Sequence, residues 1–124
     1  MIVLEYFSIV SDHAEYRPDG EVPLDQAVNM VISAIELTRV QNVRKLLIVT
    51  SALSGFESPG LGTRYFFIED WARAARGQVK VALVARPEMI HARKFGVTVA
   101  ANSGFRCDIF PTEDEALVWL RVDD

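Results

Sequence analysis

Four consecutive aliphatic residues, Leu46-Leu47-Ile48-Val49, constrain this chain most. Such a run reads as a strand buried on both faces, and strands of that kind belong to sheets covered by helices. A loop from Thr50 to Gly62 follows, carrying hydroxyls, glycines and one carboxylate, Glu57, and it delivers the chain to a helical stretch ending near Ala75. Sites in α/β proteins tend to lie in loops at the carboxyl ends of strands. Any function is therefore expected in or beside this loop.

The flanking segments fit the same class. Ile2 to Val10 reads as the first strand, with His13 to Arg17 as its hairpin partner and Arg17-Pro18-Asp19-Gly20 as a turn. Leu24, Ala27, Val28, Val31, Ile32 and Ile35 mark the buried stripe of a first helix, which should stop near Gln41-Asn42. Pro23 and Asp25 suit its start. The second helix should run from about Leu61 to Arg76 and stop at Gly77. Leu61, Tyr65, Ile68, Ala72 and Ala75 form its stripe, and Phe67 and Trp71 widen it. Phe66 falls on the far face, among Glu69, Asp70 and Arg73.

Gln78 to Val84 reads as a strand, Arg86-Pro87-Glu88 opens a helical stretch reaching Asn102, either continuous or broken near Gly96 where Gly96-Val97-Thr98-Val99 has strand-like residues, and Ser103-Gly104 ends it. Arg106 to Phe110 is a short strand. Thr112 and Glu115 form a capping box for a last helix, which packs Ala116, Leu117, Leu120 and Trp119 inward. The order β-β-α-β-α-β-α-β-α implies an α/β fold, mostly parallel, with an antiparallel pair at the start that makes the sheet mixed. A length of 124 residues suits one domain over 1–124.

Composition narrows the function classes. A net charge of −4 argues against a nucleic-acid binder driven by bulk charge. Cys107 is the single cysteine, so no internal disulfide is expected and a reducing cytoplasm is the simplest setting. Met1-Ile2-Val3-Leu4-Glu5 lacks the pattern of a signal peptide, and no apolar run approaches the roughly 20 residues that span a bilayer.

The residues also argue against several chemistries. Neither His13 nor His91 has a second ligand at a usual spacing, so no metal is expected. Cys107 has no identifiable partner to stabilise a thiolate and reads as core. Gly60-Leu61-Gly62 fails the dinucleotide pattern at Tyr65, and no lysine follows to make a Walker loop. Phe56-Glu57-Ser58-Pro59-Gly60 lacks the first glycine of a nucleophile elbow. With no acid–base or nucleophile pair, neither an enzyme nor a cofactor is expected.

Ser58 remains, either as a helix cap with Pro59 at the first helical position or as a phosphoacceptor. A helix N-terminus would favour the added charge and Glu57 would oppose it. Phe56, Phe66, Phe67 and Trp71 cluster around the loop and second helix, and most should be core. Phe56 and Phe66 exposed together would form a patch for a protein partner, a membrane surface or an apolar ligand.

At these residues the chain resembles the STAS family, the anti-sigma-factor antagonist domains, in their SpoIIAA-like form. Gly20-Glu21-Val22 resembles the strand end and turn before that family's first helix. Glu57-Ser58-Pro59-Gly60-Leu61-Gly62 resembles its Asp-Ser-Ser-Gly-Leu-Gly signature, and Val81 to Pro87 its late strand and proline. Gly104, Ile109-Phe110, Thr112 and Glu115-Ala116-Leu117 continue the likeness. The resemblance implies a SpoIIAA-like mixed sheet and places the family's phosphoacceptor at Ser58.

The chain departs from the signature at Glu57 and Pro59, and Ser54-Gly55-Phe56 lengthens the loop before it. The stretch from Lys94 to Asn102 is more similar to small uncharacterised bacterial SpoIIAA-like proteins. These are grouped by fold with the lipid-binding CRAL-TRIO domains, which implies apolar-ligand binding or membrane association.

Two readings follow. One is a non-enzymatic regulatory or scaffolding module that meets an anti-sigma-like or other protein partner through Phe56, Glu57, Ser58, Gly60, Leu61 and the adjoining helix face. The other is a small carrier of apolar ligand or lipid, with peripheral membrane contact, lined by Phe56, Phe66, Phe67, Trp71, Met89 and Phe95. The carrier reading requires a cavity beside the second helix. An exposed aromatic face would also admit a homodimer.

Overall fold

A computed structural model describes residues 4–57, 60–90 and 100–122. The elements are β1 (Phe7–Val10), β2 (His13–Tyr16), β3 (Gly20–Glu21), α1 (Leu24–Val40), β4 (Lys45–Val49), β5 (Leu53–Ser54), α2 (Leu61–Ala75), β6 (Lys80–Val84), β7 (Cys107–Phe110) and α3 (Glu113–Arg121). A 3-10 turn, Pro87–Met89, follows β6, and residues 100–102 are helical.

The main sheet has the order β1-β2-β4-β6-β7. β1 and β2 pair antiparallel, and every other neighbour in that sheet is parallel, so the sheet is mixed as expected. β4 lies at its centre, and Leu46 to Val49 are all buried. Strand alternation divides them between two cores. Leu46 and Ile48 pack with Val31, Ile35, Ile68 and Trp71 under α1 and α2. Leu47 and Val49 pack with Ala82, Val84, Ala116 and Leu120 under α3. The sheet is therefore the middle layer of three.

Several local expectations change. The first strand starts at Phe7 rather than Ile2, because Glu5 and Tyr6 form a turn. Tyr6 has φ +65, and its carbonyl accepts the Arg17 N–H at 3.0 Å. Residues 1–3 of that expected strand lie outside the described residues. β3 and β5 are additional two-residue strands forming a small parallel sheet of their own. The expected helix over 89–102 is described only at its ends. A 3-10 turn stands at one end, and a helical end closed by Ser103 and Gly104 (φ +72) at the other.

α1, α2 and α3 match their expected spans, and the Thr112 hydroxyl accepts the Glu115 N–H at 3.3 Å. α2 has Gly60 as its N-cap with no side-chain cap, and the expected cap Ser58 and the residue after it, Pro59, lie outside the described residues. Its stripe is also rotated. Tyr65 is 46% exposed, whereas Arg64 is only 7% exposed and takes the inward position.

Candidate functional site

α1 and α2 touch over the sheet but do not close at both ends. Near their C-terminal ends Arg39 Nε donates to the Ala74 carbonyl at 3.0 Å, which clips the two helices together. Further toward the N-termini Trp71 Nε1 donates to the Val28 carbonyl at 3.2 Å. A cavity of about 110 Å³ opens along the N-terminal parts of both helices.

The first part of α1 supplies Leu24, Ala27, Val28 and Val31 to its wall, and α2 supplies Phe67, Ile68 and Trp71. Leu83 and Ala85, at the carboxyl end of β6, form the sheet side together with Cys107 and Ile109 of β7. Leu53 and Phe56 contribute from the loop after β4, and Met89 from the 3-10 turn. The site thus lies where the parallel strands end, beside the expected loop.

The position follows from local sequence. Ala27 and Ala85 are small, so backbone separation there is not filled by side chain. Phe67 and Trp71 are tilted against each other at 4.8 Å between centroids, which fixes one wall. Gly55 lets the loop turn back against β3: its φ is +103, and its amide neighbourhood leaves no room for a Cβ beside Val22. Leu53 and Phe56 on either side are thereby held in the wall.

Two cations belong to this mostly apolar wall, Arg64 and Arg86, and Thr50 and Asp108 are also among its lining residues. Arg64 Nη2 donates to the Met89 carbonyl at 3.0 Å, and burial pulls its pKa down. Arg86 precedes the 3-10 turn, which the Met89 N–H closes on the Arg86 carbonyl at 2.8 Å. Its Nε stands 3.6 Å from the exposed Glu88 carboxylate. Asp108 also borders the cavity, but it pairs in register with Ala82, whose side chain faces the α3 core. Its Oδ1 accepts the Ile109 N–H at 2.7 Å. Burial pushes the Cys107 thiol up to about 12, with the Asp108 charge adding to it, so the sulfur is an inert part of the wall at neutral pH.

The structure brings together Phe56, Phe67, Trp71 and Met89 of the residues proposed from sequence as ligand-lining. Phe66 is not among them: it is 70% exposed and meets Tyr65 edge-on at 5.6 Å between centroids. Phe56 is half-buried at the cavity, so the two phenylalanines do not meet the condition, exposure together, on which a shared surface patch depended. Glu57 and Gly60 are exposed beside the start of α2. Ser58 and Phe95 lie outside the described residues, as does His91, and of Leu61 only its place at the start of α2 is described.

His13 is buried on β2, with Nε2 at 2.9 Å from Glu15 Oε2, inside a network that continues through Arg17 to Glu113 of α3. Among the described residues no group of three or more histidine, cysteine or carboxylate side chains could hold a metal ion. None of the described helices is long and apolar enough to cross a membrane. Sequence reasoning missed Arg64 and Arg86. For Arg64 the signal was a charged residue at helical spacing from Phe67 and Ile68, whereas Arg86, which precedes the 3-10 turn, gave none.

No family model matches the chain, and no curated protein matches it significantly. The chain is similar in fold to a solved structure titled the NMR structure of the protein TM1081. The TM-score is 0.51 and the identity 18%, over 99% of this chain and 92% of that one. At that identity the likeness concerns the fold, a mixed α/β sheet with helices.

Proposed function

We propose that this chain is a non-enzymatic, STAS-like binding module that holds a small apolar ligand between α1 and α2. The observation that supports this is the cavity of about 110 Å³, walled by aliphatic and aromatic side chains where the parallel strands end. Small-ligand sites in α/β folds have this lining and this position. Octanol and 1-anilinonaphthalene-8-sulfonate are suitable probes. Both should bind the folded protein at one site, and Leu83→Trp, which fills the cavity from the sheet side, should abolish binding without loss of folding. Unchanged probe binding in that variant would refute the reading.

A second reading, regulation of a protein partner through the start of α2, is favoured by the exposed Tyr65–Phe66 pair there. It is also favoured by an N-terminus with no side-chain cap and no acidic residue in its first turn. A phosphate on Ser58 would find favourable helix-dipole charge nearby. Ser58→Asp should weaken capture of an anti-sigma-like partner while leaving the denaturation midpoint in place, and equal capture would refute it.

A further inference from the structure

We propose that the part of the ligand held in this cavity is a single aromatic hydrocarbon ring, of the size of toluene, with no charged or hydrogen-bonding group inside the wall. The proposal rests on the apolar-ligand reading and adds the size and polarity of the ligand. The polar side chains that border the cavity are already engaged within the protein. The Thr50 hydroxyl donates to the Val84 carbonyl at 2.9 Å, and Trp71 Nε1 donates to the Val28 carbonyl at 3.2 Å. Arg64 donates to the Met89 carbonyl, Asp108 accepts the Ile109 N–H, and both have further partners. Arg86 is ion-paired with Glu88, whose side chain is 64% exposed, so that pair lies toward solvent. Among the described residues no buried side-chain nitrogen or oxygen lacks a hydrogen-bond partner.

A hydroxyl or charge brought inside this wall would have to compete with one of those bonds or go without a partner, and either is costly away from water. A hydrocarbon surface meets no such cost. Volume sets the size. A cavity of about 150 Å³ lined by aliphatic and aromatic side chains takes up benzene, so the space here, about 110 Å³, is room for one ring and little more. Phe56, Phe67 and Trp71 present aromatic faces and edges, which favour a ring over an alkyl chain of equal volume. A longer molecule such as octanol enters chain first and keeps its hydroxyl outside.

The test is calorimetric titration of the full chain at pH 7 with toluene, phenol and octanol. Toluene and phenol have nearly the same shape and differ by a methyl against a hydroxyl. Toluene is expected to bind at least about tenfold more tightly than phenol, the return on not burying one unsatisfied hydroxyl. Methyl NMR locates the site without a substitution. Signals of Val28, Leu83 and Ile109 should shift on adding toluene, and those of Leu47 and Leu120, in the core under α3, should not. Phenol binding as tightly as toluene would overturn the inference and leave the apolar-ligand reading intact, as would binding of octanol without toluene. Binding of none of the three, or shifts confined to the α3 side, would overturn both.

Discussion

Replacing Gly55 with alanine should destabilise the protein by far more than the same change at its other turn glycines. Gly55 has φ +103, and an added Cβ would stand 2.5 Å from the Val22 carbonyl oxygen and 2.9 Å from the Val22 nitrogen. Carbon–oxygen contacts ordinarily begin at about 3.3 Å. Backbone must therefore move by most of an ångström. Val22 cannot yield freely, since its N–H donates to the Ser54 carbonyl at 2.9 Å and holds β3 against β5. The positive φ costs about 1–2 kcal/mol for an L-residue. Losing one or two of the backbone hydrogen bonds adds about 1 kcal/mol each. Alanine's lower unfolded-state entropy returns about 0.5 kcal/mol. The net expectation is about 3 kcal/mol, read from urea denaturation by tryptophan fluorescence. Gly20→Ala supplies the control, because its φ of +124 carries the strain but nothing lies within 4 Å of the new Cβ. A Gly55→Ala loss within about 0.5 kcal/mol of the Gly20→Ala loss, the ordinary scatter of additive effects, would refute the close-contact argument. The same variant should weaken octanol binding, since Leu53 and Phe56 flank Gly55 in the cavity wall.

Lys80 is 1% exposed, donates to the Trp119 and Val122 carbonyls at 2.9 and 2.7 Å, and lies 4.4 Å from the Trp119 ring centroid. Lys80→Met keeps the packing of the stem but loses those bonds, and should cost about 2 kcal/mol in the same denaturation assay. Burial pushes the Glu15 carboxyl up, but hydrogen bonds from His13 and Arg17 outweigh it and hold its pKa below 4.5. A depressed folded-state value means that Glu15 stabilises the fold above pH 4.5 and ceases to do so as pH falls through that lower value. Glu15→Gln should thus be less stable than wild type at pH 7, and the gap should narrow in acid. Cys107, buried with its thiol raised to about 12, should react with N-ethylmaleimide at pH 7 far more slowly in the native protein than in urea.

The layers were legible because they depend on local pattern. An unbroken aliphatic run in β4 needs cover on both faces, and the helical stripes of α1 and α3 supply it. What stayed hidden depends on partners distant in the chain. Arg64 turns inward in place of Tyr65 because its head reaches a carbonyl 25 residues on, while its stem packs as an apolar chain would. Lys80 sits inside a strand because the end of α3, 39 and 42 residues later, offers it two carbonyls. β3 and β5, two residues each, are too short to carry any periodicity, and only the close approach at Gly55 betrays them. Phe56 and Trp71 could be named as site residues from their place in the chain. The space between them could not, since it is set by how far two helices stand apart.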